Sequence, residues 1–170
     1  KTMLAHILQK ANLISDQLTL VVGFDMENVK QELQNTSIEA ACVEQAEQIG
    51  TADAVRSALP RIEVADKILI LYGDAPLIRT ETMEKLFAQH QTTILTTCLD
   101  DPSGYGRVLK DKNGYAEGIV EEKDADPAQL QVQEVFTGVM VISGELLHKH
   151  LSLISNKNNT GEYYLTDLIK

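Results

Sequence analysis

The chain has 170 residues, of which 44% are hydrophobic and 24% charged, a composition typical of a soluble globular domain with a sizeable core. Its formal net charge is -10, which argues against a broad surface for nucleic acid or anionic membranes. A nucleotide site stays possible, because backbone N–H groups and a metal ion can hold phosphate, and no apolar run approaches the roughly 20 residues that cross a bilayer.

The first half of the chain alternates between helical and strand-like patterns. In chain order, it predicts a helix at 3–14, a strand at 17–23, a helix at 25–33, a strand at 39–43, a helix at 52–59, a strand at 68–72, a helix at 80–90 and a strand at 92–99. Asp25 and Thr80 are the expected N-caps, and Pro60 ends the third helix. The strand at 68–72 has the most buried pattern of these.

The second half changes character after a glycine-rich loop at 101–107. A hairpin is predicted around the turn 111–114, followed by a polar loop, a long strand at 133–143 and helices at 144–153 and 161–170. The chain begins and ends inside helical patterns, so we expect it to be a piece of something longer. Cys42 and Cys98 lie in apolar strand-like runs, which predicts buried, inert thiols in a reducing compartment.

Strands separated by helices of about ten residues predict βαβ units, a mostly parallel sheet and an α/β fold with a β-hairpin excursion. We expect one partial domain over 1–170, in which 1–99 bind a nucleotide and 100–170 bind a second group. Continuous apolar strands fit this interpretation, because parallel sheets are covered on both faces.

Asp74 follows the third strand in the segment KILILYGDAPLI. Ligands of open α/β sheets bind beyond the carboxyl ends of the strands, and a carboxylate there can hold Mg²⁺ together with substrate phosphates. Tyr72 offers an aromatic face or hydroxyl, and Gly73 allows close backbone approach. An aspartate that caps the turn before Pro76 explains the residue equally well at this point.

A second candidate lies in the segment QAEQIGT, where Gly50 and Thr51 open a helix just after a strand. Such a helix start presents N–H groups to an anion, and the Gln45 amide suits a nucleobase edge. An ordinary strand–turn–helix with Thr51 as N-cap is the alternative. The spacing GxxxxGK[ST] is missing, so this is not a P-loop.

Two further candidates lie in the second half. Gly104 and Gly106 flank an aromatic residue, which permits either close approach of the backbone to a ligand or a simple bulge before a hairpin. Glu121 ends the following strand in GIVEEKDA and either points towards the ligand side of the sheet or belongs to a solvated charge run.

Together, the segments QAEQIGTADAV, ILYGDAPLI, LDDPSGYGRV, GIVEEKDA and TGEYYLTD resemble one family, in this order and over nearly the whole chain. It is the N-terminal uridyltransferase domain of the bifunctional bacterial N-acetylglucosamine-1-phosphate uridyltransferase/glucosamine-1-phosphate acetyltransferases (GlmU). The resemblance implies a Rossmann-like, glycosyltransferase-A-like nucleotidyltransferase fold that is incomplete at both ends. It implies that 1–99 form the nucleotide-binding βαβ part and that 100–170 form the sugar-binding part. It also implies a cytoplasmic enzyme of cell-wall precursor synthesis whose full-length parent is a homotrimer.

The activity that this resemblance implies is Mg²⁺-dependent uridylyl transfer. UTP and N-acetylglucosamine 1-phosphate would give UDP-N-acetylglucosamine and pyrophosphate. By the same resemblance, Gln45, Gly50 and Thr51 would contact the uracil and ribose, and Asp74 would bind Mg²⁺. The other implied site residues are the wall of the site and the contacts to the N-acetylglucosamine group: Tyr72, Gly73, Gly106 and Glu121.

The chain departs from the pattern of this family at both ends. The opening loop LAAGxGTRM and the PK pair after it are absent, and their Arg and Lys would lie upstream of Lys1. Lys1 corresponds to a position several residues after that loop, so we expect it not to replace them and expect no catalytic residue within this chain. The later segment with a second Mg²⁺-binding Asn and the hexapeptide repeats of the acetyltransferase part are also absent. We therefore expect negligible turnover by this chain alone.

A third departure is Phe136, which stands where the family usually has an Asn that contacts the sugar. Phenylalanine cannot make that hydrogen bond. Two alternatives stay open: the missing opening loop allows a non-catalytic UDP-sugar binder, and Phe136 allows an enzyme for another hexose phosphate.

Overall fold

The computed structural model describes residues 1–169. This part of the chain contains five α-helices, seven strands and several short 3-10 turns. The helices are α1 (Met3–Ala11), α2 (Met26–Gln34), α3 (Thr51–Ala58), α4 (Thr80–Phe87) and α5 (Gly144–His150). The strands are β1 (Thr19–Val22), β2 (Ala41–Glu44), β3 (Lys67–Ile70), β4 (Thr93–Cys98), β5 (Arg107–Lys110), β6 (Ala116–Val120) and β7 (Glu134–Ser143).

The α/β class predicted from the sequence is confirmed, but the strand directions need a correction. β1 and β2 form a parallel pair, whereas the pairings of the five-stranded sheet are antiparallel. The reason is the position of β7, which pairs with β4 along one edge and with β3 and β5 along the other. β3 and β4 therefore run parallel to each other, as their patterns predict, but β7 separates them.

β7 organises the core because both of its faces are covered. Phe136, Met140 and Ile142 alternate along one face and pack with residues of α3 and α5. Val139 and Val141 point to the other face and pack with Leu86 of α4 and its neighbours. Helices thus cover both faces of the sheet, as predicted, and β7 rather than β3 is the most buried strand.

Two local predictions are wrong, and a third is confirmed in position only. Asp25 is the N-cap residue of α2, as predicted, but it takes a left-handed conformation at φ 57° and makes no side-chain capping bond, and its carboxylate accepts a hydrogen bond from Asn28. Thr80 is the first residue of α4, and Arg79 occupies the N-cap position. Cys98 is exposed at the end of β4 and Cys42 is only half-buried, so neither is a fully buried thiol.

The predicted helix at 161–170 is also wrong over the described residues. A 3-10 turn at Leu165–Leu168 is the helical part, and Lys170 lies outside the described residues. The backbone of Tyr163 bonds to Ile49 and Ala52 instead of to its own helical turn. Long-range pairing has replaced the local hydrogen bonds that a helix would need.

Candidate functional site

The start of α3 is shaped by Gly50, which adopts φ 129° and ψ 171°. This region of backbone conformation is essentially restricted to glycine. A Cβ at this position would lie 2.4 Å from the carbonyl oxygen of Tyr163. Tyr163 N–H donates to Ile49 O at 2.8 Å, and Tyr163 O accepts from Ala52 N at 2.9 Å. The turn that opens α3 is therefore locked against a segment more than a hundred residues later in the chain.

Gln45 and Thr51 brace the same turn. The Gln45 amide donates to Gly50 O at 3.0 Å and to Asp53 Oδ2 at 3.1 Å. Thr51 Oγ1 accepts from Leu165 N at 2.9 Å, and the Thr51 side chain also interacts with the Tyr72 hydroxyl. Both residues are among those predicted to contact a ligand. Their hydrogen bonds fix the shape of the surface that this ligand would meet.

Tyr72 extends beyond β3 and packs on the backbone of β7. Gly138 has φ +80°, and a Cβ there would lie 2.5 Å from Cδ2 of the Tyr72 ring. The ring also meets Phe136 edge to face, with ring centroids 6.3 Å apart. Burial raises the pKa of the Tyr72 hydroxyl, interaction with the Thr51 side chain opposes this shift, and the negative charges of Glu121 and Asp74 add to it. Tyr72 thus interacts with the start of α3 and with the two predicted acidic site residues.

Glu121 and Gly106 face each other at the ends of β6 and β5. A Cβ on Gly106 would lie 3.3 Å from Glu121 Oε2, and Gly106 O accepts from Phe136 N at 3.0 Å. Glu121 Oε1 accepts from the Thr166 hydroxyl at 2.8 Å. Burial is the main cause of a raised pKa at Glu121, with the nearby acidic residues adding to it. The site therefore offers a half-buried carboxylate beside the buried backbone of Gly106, and such a carboxylate suits hydroxyl groups of a ligand.

Gly73 and Asp74 form an exposed turn beyond β3. Lys10 stabilises the loop that follows, because its Nζ donates to the carbonyl oxygens of Pro76 and Ile78, both at 2.8 Å. Residues 1–169 contain no group of three or more His, Cys, Asp or Glu side chains that could hold a metal. A single exposed carboxylate fits a Mg²⁺ ion whose remaining ligands are phosphate oxygens and water.

Lys1, the first residue of the chain, is exposed and precedes α1. Its Nζ donates to Gln9 Oε1 on α1 at 3.1 Å. The Lys1 ammonium group is therefore hydrogen-bonded to α1. That Lys1 does not replace the basic residues of the family's opening loop, and that no catalytic residue lies within this chain, stay predictions.

The sequence missed four residues that shape this site. Tyr163 and Thr166 tie its two halves together, and Gly138 makes room for the Tyr72 ring. Arg107 is only 2% exposed, and its guanidinium donates to Tyr105 O and to Glu122 Oε1, which holds the glycine-rich loop in place. A glycine in a strand was a usable signal for Gly138. Tyr163 and Thr166 act through long-range contacts that no local pattern reveals, and Arg107 combines a local bond to Tyr105 with one to Glu122.

A separate cleft of about 620 Å³ is lined by none of the predicted site residues. It is lined by side chains of β4, β7 and α5 and by the last described residues, including Ile142, His150 and Ile169. The ends of β3, β5 and β6 and the start of α3 contribute the predicted site residues instead. Among residues 1–169, no helix has the length and apolarity that crossing a membrane requires.

The fold is that of the α/β nucleotidyltransferases. The structure superposes on the crystal structure of UDP-glucose pyrophosphorylase complexed with UDP-glucose with a TM-score of 0.74, covering 99% of this chain and 73% of that one at 12% identity. The apo form of UDP-glucose pyrophosphorylase gives a TM-score of 0.75 over 99% of this chain and 74% of that one, also at 12% identity. At this identity, the likeness establishes the fold alone.

The chain belongs to the family of MobA-like NTP transferase domains, whose model matches residues 1–146. It is 42% identical over 173 residues to the bifunctional protein GlmU of Pseudomonas aeruginosa (strain LESB58), covering 99% of this chain and 37% of that protein. It is 40% identical over 174 residues to the bifunctional protein GlmU of Burkholderia orbicola (strain AU 1054), covering 100% of this chain and 38% of that protein. The resemblance to GlmU is confirmed, and the chain spans less than two fifths of the length of these relatives.

Proposed function

We propose that this domain contributes the uridylyl-transfer site of a UDP-N-acetylglucosamine diphosphorylase. In this reaction a phosphate oxygen of N-acetylglucosamine 1-phosphate attacks the α-phosphorus of UTP. A new P–O bond forms, the bond from the α-phosphorus to the oxygen that bridges it to the β-phosphorus breaks, and pyrophosphate leaves. Such in-line displacement depends on positioning and on neutralising charge more than on protein acids and bases.

The observation that carries this proposal is the meeting of separate segments at one surface. The Thr51 side chain at the start of α3 interacts with the Tyr72 hydroxyl, and Tyr72 lies within electrostatic reach of both Asp74 and Glu121. Glu121 in turn faces the Gly106 backbone. A ligand with a nucleoside at one end, a pyrophosphate in the middle and a sugar at the other matches the order of these groups.

Different residues would contact the two ends of the ligand. Gln45, Gly50 and Thr51 would hold the uracil and ribose, and the Glu121 carboxylate would accept hydrogen bonds from sugar hydroxyls next to the Gly106 backbone. Asp74 would hold Mg²⁺, which neutralises phosphate charge when it is bound. The names and the 40–42% identity of the GlmU relatives support this choice of substrates.

Calorimetric titration with UDP-N-acetylglucosamine, with and without Mg²⁺, tests the proposal. Glu121→Ala should weaken binding about tenfold or more, because a hydrogen bond to a charged group contributes about 1.5–3 kcal/mol. Glu117→Ala is the matched control, because Glu117 is an exposed glutamate of β6, the strand that Glu121 follows. Equal binding by the two variants would contradict the sugar assignment, and pyrophosphate release from UTP separates turnover from binding alone.

A different hexose 1-phosphate is the second candidate, and Phe136 favours it. This side chain is 6% exposed and packs against Tyr72, so it offers no polar group to a sugar. A site with an apolar wall at this position would select against a group that needs a hydrogen bond there. Titration of Phe136→Asn and the unchanged chain with UDP-N-acetylglucosamine and UDP-glucose distinguishes the two candidates by which ligand each protein prefers.

A further inference from the structure

Residues 163–166, here called the strap, connect the two halves of the candidate site. At its first residue the strap pairs with the start of α3 through the Tyr163 backbone. Two residues on, Leu165 N–H donates to Thr51 Oγ1 at 2.9 Å. At its last residue, the Thr166 hydroxyl donates to Glu121 Oε1 at 2.8 Å. One short segment thus fixes the nucleoside side by backbone bonds and the sugar side by a single side-chain hydroxyl.

We infer that Thr166 is a positioning residue for sugar recognition, which orients the Glu121 carboxylate towards its ligand; this rests on the proposed function. Thr166 is 3% exposed, so its hydroxyl has little access to water and is committed to the carboxylate. The bond engages Oε1, and the Gly106 backbone lies beside both carboxylate oxygens. The hydroxyl therefore limits rotation of the carboxylate at the point where a sugar hydroxyl would approach.

The bond between Thr166 and Glu121 also has an electrostatic effect, because acidic residues lie near the carboxylate. One is in the loop after β6 and the other two flank the strap: Asp124, Glu162 and Asp167. The hydroxyls of Tyr72 and Tyr164 also lie within electrostatic reach. Burial and these negative charges raise the pKa of Glu121, and the Thr166 hydroxyl acts against them. Donation from Thr166 therefore favours the ionised carboxylate, which is the form that accepts hydrogen bonds on both oxygens.

The test compares Thr166→Val with Thr166→Ser. Valine keeps the volume and removes the donor, whereas serine keeps the donor and loses a methyl group. Thr166→Val should weaken UDP-N-acetylglucosamine binding about tenfold, the effect of losing about 1.4 kcal/mol. It should leave UMP binding unchanged, because the bonds of the strap to α3 come from backbone groups. Thr166→Ser should bind both ligands as the unchanged chain does.

The pH dependence gives a second measurement that a purely structural role would not move. Protonation of Glu121 should weaken UDP-N-acetylglucosamine binding as the pH falls, and in Thr166→Val this loss should begin at a higher pH. Thr166→Cys, with a weaker donor, should fall between the valine variant and the unchanged chain. It also replaces the valine variant if circular dichroism shows that the latter does not fold.

Each outcome distinguishes this inference from the proposed function. If Glu121→Ala loses UDP-N-acetylglucosamine while Thr166→Val and Thr166→Cys keep the affinity and pH profile of the unchanged chain, the inference fails and the proposed function stands. An equal loss of UMP and UDP-N-acetylglucosamine binding in these two variants would also overturn it, because it would indicate general disorder of the strap. If Glu121→Ala binds normally, the sugar assignment itself fails.

Discussion

Gly50→Ala should destabilise the domain more than an alanine substitution at a glycine where the added Cβ would meet no other atom. The backbone conformation of Gly50, φ 129° and ψ 171°, costs a non-glycine residue about 1–3 kcal/mol. The new Cβ would also meet Tyr163 backbone atoms at 2.4, 2.6 and 2.9 Å, and forced overpacking of this kind costs about 1–3 kcal/mol. Adding the midpoints gives a loss of about 4 kcal/mol in the free energy of unfolding. For a chain of this size, that corresponds to a fall of about 8–16 °C in the melting temperature.

Gly114→Ala is the control for Gly50→Ala. Gly114 has φ +86°, and no heavy atom lies within 4 Å of the position that a Cβ would take there. Alanine at this position therefore brings left-handed strain of about 1–2 kcal/mol without a clash. Urea and thermal unfolding, followed by circular dichroism, give both free energies. If the two variants lose the same stability, the contact between the start of α3 and Tyr163 does not constrain the turn, and the locked surface inferred for the site is wrong.

Three other substitutions test separate parts of the site. Tyr72→Phe removes the hydroxyl that interacts with the Thr51 side chain while keeping the ring, so chemical denaturation should show a loss of no more than about 1 kcal/mol. Glu122→Ala removes a partner of the buried Arg107 and should cost about 1–3 kcal/mol, whereas alanine at the exposed glutamate of β6 should cost almost nothing in the same assay. The raised pKa of Glu121 means that the folded chain binds this proton more tightly than the unfolded chain, so stability should fall as the pH rises from about 4.5 through the raised pKa. Glu121→Gln should flatten that part of the profile in a series of unfolding measurements across pH, and an unchanged slope would refute the assignment.

Much of the fold was predictable because its signals are local. Alternating apolar runs and helical spacing predicted every strand and the five helices, and the long apolar pattern at 133–143 marked β7. The direction of pairing was not predictable from these patterns. A run that is apolar on both faces suits a strand covered by helices on both sides, whether its neighbours run parallel or antiparallel. The insertion of β7 between β3 and β4 depends on the long-range packing of the whole sheet.

The sequence by itself determined the chemistry that this protein carries: a glycine and a threonine at a helix start, an aspartate after a strand, a glutamate after another, and the order that links them to one family. Only the tertiary structure decided how these groups are held. Tyr163 and Leu165 bond to residues near Gly50, and Thr166 bonds to a carboxylate 45 residues earlier in the chain. The segment 161–169 has a helical pattern, but it makes these long-range contacts in place of most of the local hydrogen bonds of a helix. Local propensity is worth tenths of a kcal/mol per residue, and buried long-range bonds readily outweigh it.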